Sequence, residues 1–120
     1  MNAEAPLLAQ LEAAVGGEHC LRGEAAEPFC TDVYRRFAAP LAVLRPTSVD
    51  QVQEVVRTAA RHGRRLVLRG GGASYTDGYL APDEHSLLLD LSALDRIVEI
   101  NEKDCYVVVE AGVTWAALSE

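Results

Sequence analysis

The sequence has few basic side chains, and it lacks long hydrophobic runs. Eleven lysines and arginines stand against eighteen aspartates and glutamates, giving a net charge of −7. A surface with this excess of negative charge repels a phosphate backbone, so nucleic acid is not an expected partner. The longest apolar stretches have only the length of a strand, and no membrane span is expected. No basic cluster precedes the apolar positions at the N-terminus, so we expect no secretory signal.

Cysteine and histidine are also scarce, with three of each in the chain. Cys20, Cys30 and Cys105 are widely spaced and match no zinc-ligand pattern, so we expect no metal site. An odd number of cysteines without a secretory signal is typical of reduced thiols, and it predicts a cytoplasmic location. At 120 residues and 49% hydrophobic content, the chain is long enough for at most one ordinary globular domain.

The first forty residues contain one clear element. Residues 6–15 predict a short amphipathic helix that begins at Pro6 and ends at Gly16-Gly17. Its apolar face consists of Leu7, Leu8, Leu11 and Val15. Residues 19–40 show no clean period, and their aromatic side chains Phe29, Tyr34 and Phe37 need to pack on the body of the domain. We describe residues 1–40 as an N-terminal helix and arm.

From Leu41 the pattern indicates a strand, a helix and a second strand. Residues 41–44 form the first strand candidate, which Pro46 stops, and residues 66–68 form the second. Between them Ser48 is a helix N-cap with Gln51 three residues later, and Gly63 ends the helix. The predicted buried face of this helix consists of Val52, Val55, Val56, Ala59 and Ala60. A βαβ unit of this length predicts parallel strands joined by a right-handed crossover.

Three consecutive glycines, residues 70–72, follow Arg69 at the carboxyl end of the second strand. Glycine permits positive φ and a close ligand approach, so such a run exposes backbone N–H groups that suit a phosphate or diphosphate. Ligands of open α/β sheets collect at this edge. A loop that only turns the chain is the alternative, and the position after a parallel strand favours the anion site.

Two common phosphate-binding motifs do not fit these glycines. A Walker A loop needs Lys and Ser or Thr after its last glycine, whereas Ala73, Ser74 and Tyr75 stand here. A Rossmann fingerprint follows the first strand and opens directly into a helix. Here the glycines follow the second strand, and residues 75–82 have no helical period. A dinucleotide site in a different fold remains open.

The second half of the chain continues with short strand candidates. Residues 87–91 predict a buried strand, residues 96–101 alternate weakly, and residues 106–109 predict another strand that ends before Ala111-Gly112. Thr114 caps a helix that begins at Trp115. Because the chain stops at Glu120, about two turns into that helix, we expect the reading frame to continue.

Four blocks in this order resemble the FAD-binding domain of the FAD-linked oxidases related to vanillyl-alcohol oxidase and p-cresol methylhydroxylase. The blocks are PTSVDQV at 46–52, RGGGAS at 69–74, LDLS at 89–92 and VEAGVTW at 109–115. The resemblance covers residues 41–120, which we interpret as the N-terminal, truncated part of such a domain. It implies an α+β fold, in which the βαβ subdomain is followed by the start of a mixed-sheet second subdomain from Leu87 onward.

The same resemblance implies that FAD lies between the two subdomains, with its diphosphate held by backbone N–H groups and by the hydroxyl of Ser74. The implied cofactor-binding residues are Pro46, Arg69, Gly70, Gly71, Gly72, Ala73, Ser74, Tyr75, Gly78 and Gly112. Many members carry a histidine directly after the glycines, bonded covalently to the flavin. Ala73 stands at that position, so we expect non-covalent FAD.

The family's substrate-binding region would follow Glu120, so the catalytic residues are unknown from this sequence. The resemblance implies the FAD-binding portion of an oxidoreductase that oxidises a small alcohol, amine or 2-hydroxy acid by hydride transfer to FAD. A catalytically inactive truncated α/β module, or a piece of a multi-chain assembly, is the alternative. If the strands between Leu87 and Val109 lack neighbours, we expect exposed apolar edges and low stability.

Overall fold

The computed structural model of the protein describes residues 4–29, 40–70 and 83–120. In these ranges the helices are α1 (Ala5–Val15), α2 (Val49–Arg61) and α3 (Trp115–Leu118). The strands are β1 (Cys20–Leu21), β2 (Ala42–Leu44), β3 (Leu66–Arg69), β4 (Leu87–Asp90), β5 (Ile97–Asn101) and β6 (Tyr106–Val109). Two 3₁₀ segments, Gly17–His19 and Gly23–Phe29, lie on either side of β1.

The helix boundaries confirm the capping signals of the sequence. The Ser48 hydroxyl accepts a hydrogen bond from Gln51 N at 3.3 Å, and Gln51 Oε1 accepts one from Thr47 N at 2.8 Å. The reciprocal bond thus reaches one residue further back than in the usual capping box. At the C-terminal end of α2, Gly63 has φ +62°, a left-handed conformation that glycine adopts without strain.

The strands β1, β2, β4 and β3 form one sheet in that spatial order. The strand β4 is parallel to both β2 and β3, so these two run in the same direction, as the βαβ pattern predicts. However, β4 lies between them, so the expectation that the second subdomain begins at Leu87 is wrong for β4. All four residues of β4 are buried, because a central parallel strand is covered on both faces.

The sheet has helices on one face and the longer 3₁₀ segment on the other. The larger core lies between the sheet and the helices α1 and α2. It consists of Leu7, Leu11, Val15, Cys20, Ala42, Leu44, Val55, Ala59, Leu87 and Leu89. The alternate strand residues Val43 and Leu88 pack with Ala26 and Phe29 on the opposite face. This alternation follows from the two-residue period of a strand. Phe29 therefore packs against the face of the sheet opposite to α1 and α2.

The buried face of α2 is narrower than the sequence pattern indicates. Val55, Thr58 and Ala59 are buried, whereas Val56 is 45% exposed and Ala60 is exposed. The inclusion of Val56 and Ala60 in the core face is therefore wrong. Each residue of a helix rotates by about 100°, so the position after Val55 or Ala59 leaves the arc that meets α1 and the sheet.

The strands β5 and β6 form a separate antiparallel pair with a bulge between Ile97 and Glu99. The fold is thus a mixed α/β arrangement of parallel and antiparallel strands, as expected. The apolar side chains of this pair are exposed by 38–59%. Among the described residues, the condition set for exposed apolar edges is met by β5 and β6 but not by β4, which has a strand on each side. In the part of the chain that the structure describes, no helix has the length and apolar character needed to cross a bilayer.

Candidate cofactor site

The carboxyl ends of the three parallel strands meet at one edge of the sheet. Arg45 follows β2, Asp90 ends β4, and Arg69 ends β3 with Gly70 directly after it. Arg69 and Asp90 are register partners, so the ends of β3 and β4 are level. A cleft of about 300 Å³ opens at this edge. Its lining, among the described residues, consists of Phe29, Arg45, Arg69, Gly70, Asp90, Ser92, Gly112 and Thr114.

Asp90 is a buried carboxylate whose hydrogen bonds are all made within the protein. Its side chain is 3% exposed, and its Oδ2 atom lies 2.9 Å from Arg45 Nε. Ser92 donates to both oxygens, from its backbone N to Oδ1 at 3.1 Å and from its hydroxyl to Oδ2 at 3.0 Å. A buried charge needs this degree of compensation. The ion pair consequently fixes the position of Arg45, whose side chain is 34% exposed.

Two arginines share one aromatic ring at the edge of the cleft. The guanidinium carbon of Arg69 lies 4.9 Å from the ring centroid of Phe29, and that of Arg45 lies 5.9 Å away. Both distances are within the range of cation–π contacts. The ring therefore holds two positive charges near each other in a protein whose net charge is −7.

Gly112 also lines the cleft, and a side chain at its position would collide with the backbone. A Cβ atom built there would overlap the carbonyl oxygen of Leu91 and would lie 2.8 Å from that of Leu94. The Gly112 backbone N also donates to Leu94 O at 2.8 Å. This close approach joins the chain after β6 to the turn after β4. Gly70 differs, because the nearest described atom to a Cβ there is Ala111 O at 3.8 Å, an ordinary contact.

Three of the residues assigned from the sequence lie together in this cleft: Arg69, Gly70 and Gly112. Pro46 is fully buried, and its neighbour Arg45 lines the cleft in its place. The remaining assigned residues lie outside the described ranges, and they are Gly71, Gly72, Ala73, Ser74, Tyr75 and Gly78.

Five lining residues were not assigned to the cofactor site from the sequence, namely Phe29, Arg45, Asp90, Ser92 and Thr114. Two of them carry a signal that the sequence displays. Asp90 is a charged residue at the end of an otherwise apolar run, and Arg45 follows its strand as Arg69 ends the next. Phe29 carries no such signal, because it reaches the cleft from a segment without periodicity. Thr114 is the cap of α3, with its hydroxyl accepting from Ala117 N at 3.1 Å.

The chemistry of this cleft suits an anionic group. Among the described residues that line the cleft, two guanidinium groups stand against one carboxylate, and the backbone at Gly70 leaves room for close approach. A diphosphate fits both properties. In residues 4–29, 40–70 and 83–120, no group of three or more His, Cys, Asp or Glu side chains is placed to hold a metal ion.

Sequence comparison finds relatives over the same region. L-gulono-1,4-lactone dehydrogenase of Mycobacterium tuberculosis is 34% identical over 80 residues, an alignment that covers 67% of this chain and 18% of the relative. The flavoprotein subunit of 4-cresol dehydrogenase (hydroxylating) of Pseudomonas putida is 33% identical over 81 residues, covering 67% and 16%. This chain therefore spans less than a fifth of the length of either relative.

Structural comparison gives the same result. A crystal structure of p-cresol methylhydroxylase with substrate bound matches with a TM-score of 0.80 at 26% identity, covering 95% of this chain and 23% of the other. A family model gives a further match. The model described as FAD binding domain matches residues 40–120, which is most of the chain. This range includes seven of the eight described residues that line the cleft. The chain belongs to the FAD binding domain family.

Proposed function

We propose that this chain forms the N-terminal part of the FAD site of a flavin-dependent oxidoreductase. The observation that supports the proposal is the cleft at the carboxyl edge of β2, β3 and β4, where two arginines and two glycines converge within the family-matched region. When bound, FAD supplies hydride acceptance, and the protein supplies binding and orientation. The work of these residues is thus to hold the cofactor.

The diphosphate is the part of FAD that this edge would hold. Arg69 offsets phosphate charge, while the backbone from Arg69 to Ser74 supplies N–H donors, with the hydroxyl of Ser74 as a further donor. Pro46 fixes the direction in which the chain leaves β2, since its ring restricts φ. Gly78 and Gly112 complete the proposed contacts, and Gly112 has in addition the packing requirement described above.

The flavin is proposed to be dissociable, because Ala73 has no nucleophile where many relatives carry a histidine. Acid precipitation of the flavin-loaded protein tests this directly. We expect the yellow flavin to remain in the supernatant. Flavin that stays with the precipitated polypeptide would show a covalent bond at another residue.

The substrate class is proposed to be a small alcohol, amine or 2-hydroxy acid. The names of the two curated relatives describe dehydrogenases of a gulonolactone and of 4-cresol, which differ greatly in polarity and shape. Because both align with this chain over the same FAD-binding region, the residues that select substrate are expected elsewhere in such proteins. We propose a cytoplasmic location from the cysteine content.

A second candidate function is a module that acts only with another polypeptide. The exposed apolar side chains of β5 and β6 favour it, together with Trp115, which is 85% exposed. Sequencing the gene through the codon for Glu120 separates the two candidates. Continuation into a second glycine-rich segment supports the oxidoreductase, whereas a stop codon after Glu120 supports the module.

The test of the proposed cofactor is an FAD titration of the protein as its gene encodes it, followed by flavin fluorescence. Gly71→Val and Gly70→Ala are the variants. The second is the more informative, because its new methyl group makes only an ordinary contact with described atoms and should leave the fold intact. We expect Gly70→Ala to weaken FAD binding and Gly71→Val to abolish it, with helix content retained.

Gly17→Ala is the matched control, since a Cβ there meets nothing within 4 Å. It should bind FAD as the unmodified protein does. An FAD affinity that is unchanged in both Gly70→Ala and Gly71→Val would contradict the assignment of this edge as the diphosphate site.

A further inference from the structure

We infer that Arg45 is a diphosphate-binding residue of the cleft and that Asp90 is the positioning residue that holds it there. The inference rests on the proposed FAD site and adds two residues that the glycine-rich segment does not contain. Their side chains are joined by an ion pair of 2.9 Å across 45 positions of the sequence. They come together only because β4 lies next to β2 in the sheet.

The carboxylate of Asp90 borders the cleft, but both of its oxygens accept hydrogen bonds from the protein. Its Oδ1 accepts from Ser92 N, and its Oδ2 accepts from Arg45 Nε and from the Ser92 hydroxyl. Only 3% of the Asp90 side chain is exposed, compared with 34% of the Arg45 side chain. This arrangement orients Arg45 while leaving little of the carboxylate accessible to an anion.

Arg45 retains donors for a ligand. The hydrogen bond that the described residues give it is made by Nε, which leaves its two terminal amino groups for an acceptor in the cleft. A guanidinium group offers five N–H donors and binds phosphate oxygens in pairs. Arg69 shares the ring of Phe29 with Arg45, and a doubly charged diphosphate offsets the repulsion between these two like charges.

A purely structural role for Asp90 is the competing explanation, since its bonds to Ser92 also fix the turn after β4. The sign of the effect of Asp90→Asn tests the electrostatics, and the dependence of that effect on Arg45 separates the positioning role from a structural one. Asp90→Asn removes a negative charge near the anion, which by Coulomb's law alone should strengthen FAD binding. Loss of the charge-assisted bond to Arg45 should weaken it instead, because the guanidinium group is no longer held in place.

The experiment measures FAD dissociation constants for Asp90→Asn, Arg45→Gln, the double variant and the unmodified protein, in the form that the gene encodes. We expect Arg45→Gln to weaken binding by about tenfold to a hundredfold, the usual range for one charge-assisted hydrogen-bonding group. Asp90→Asn should weaken it by roughly three- to tenfold. In the Arg45→Gln background, Asp90→Asn should add less than about twofold, because the two residues act as one unit.

Glu12→Gln and Arg22→Gln are matched controls, since they make the same charge changes in an exposed ion pair of 3.0 Å remote from the cleft. They should leave FAD affinity unchanged. Arg45→Lys keeps the charge but loses the planar pair of donors, and it should bind FAD at an affinity between those of Arg45→Gln and the unmodified protein. It also serves as the test if Asp90→Asn does not fold.

Each remaining outcome is decisive. Three outcomes overturn this inference alone, provided that the Gly70 and Gly71 variants weaken or lose FAD binding. The first is tighter or unchanged FAD binding by Asp90→Asn, and the second is an equal effect of Asp90→Asn with and without Arg45. The third is unchanged FAD binding by both Arg45→Gln and Arg45→Lys. Absence of FAD binding by the unmodified protein overturns the proposed function, and this inference with it.

Discussion

Replacing Gly112 with alanine should destabilise the protein far more than replacing any exposed glycine. The added methyl group would overlap the carbonyl oxygen of Leu91 and lie 2.8 Å from that of Leu94. Both obstacles are backbone atoms, which side-chain rotation cannot move aside. The chain after β6 must therefore shift away from the turn after β4.

The expected cost follows from these two contacts. Inserting a methyl group into a close-packed site costs about 1–3 kcal/mol. The shift also strains the hydrogen bond from Gly112 N to Leu94 O, now 2.8 Å long, and such a bond contributes about 1 kcal/mol net. Together they predict a loss of about 2–4 kcal/mol. For a domain of this length that lowers Tm by roughly 8–16 °C.

Thermal unfolding followed by circular dichroism measures this loss, with Gly17→Ala as the matched control. A Cβ atom at Gly17 meets nothing within 4 Å, so that variant should stay within about 0.5 kcal/mol of the unmodified protein. If Gly112→Ala melts at the same temperature as Gly17→Ala, then the close approach between these two segments does not exist. The packing explanation for this glycine would then be wrong.

Three further results are expected. Alkylation at pH 8 should modify the exposed Cys105 much faster than Cys20, because burial shields the Cys20 thiol and raises its pKa. Since the unfolded chain then loses this proton more readily than the folded protein, the free energy of unfolding should fall as the pH rises above 9.0, the ordinary pKa of a cysteine thiol. The hydroxyl of Ser86 and a backbone N–H lower the pKa of Asp83, so acid unfolding of Asp83→Asn should depend less on pH below 3.8. Trp115, the sole tryptophan and 85% exposed, should fluoresce as in water and be quenched freely by acrylamide.

Local signals were sufficient to predict most of the helices and strands. The cap at Ser48, the left-handed Gly63 and the apolar run of β4 each depend on a few neighbouring residues, and the structure has them where the sequence places them. The extent of a buried face is different. Hydrophobicity at Val56 is as high as at Val55, and only the packing of α1 and the sheet around α2 leaves Val56 exposed.

Sheet order lies beyond such local signals. The residues of β4 do not determine whether this strand pairs with β2 and β3 or with β5 and β6, since burial on both faces is compatible with either pairing. The central position of β4 follows from its register in the structure, in which Leu87 is paired with Ala42 on one side and with Leu66 on the other. The misplacement of β4 in the sequence analysis has this cause.

The candidate site was predictable only in part for the same reason. Arg69 and Gly70 follow from the rule that ligands collect after parallel strands, a rule that requires only local strand assignments. Arg45 satisfies the same rule at β2, but the residue that gives it a fixed position is Asp90, at the end of β4. A pairing that depends on sheet order cannot be found before that order is known.

The central position of β4 also explains why an acidic residue is compatible with an anion site. At an edge strand, Asp90 would face solvent and repel a phosphate. Between β2 and β3 its side chain is 3% exposed and is bonded to Ser92 and Arg45, so its charge acts mainly on Arg45. Burial thus turns the carboxylate into a support for the guanidinium group. Among the described residues that line the cleft, two arginines stand against this one paired carboxylate, and this local charge, rather than the net −7 of the protein, is what an approaching diphosphate would meet.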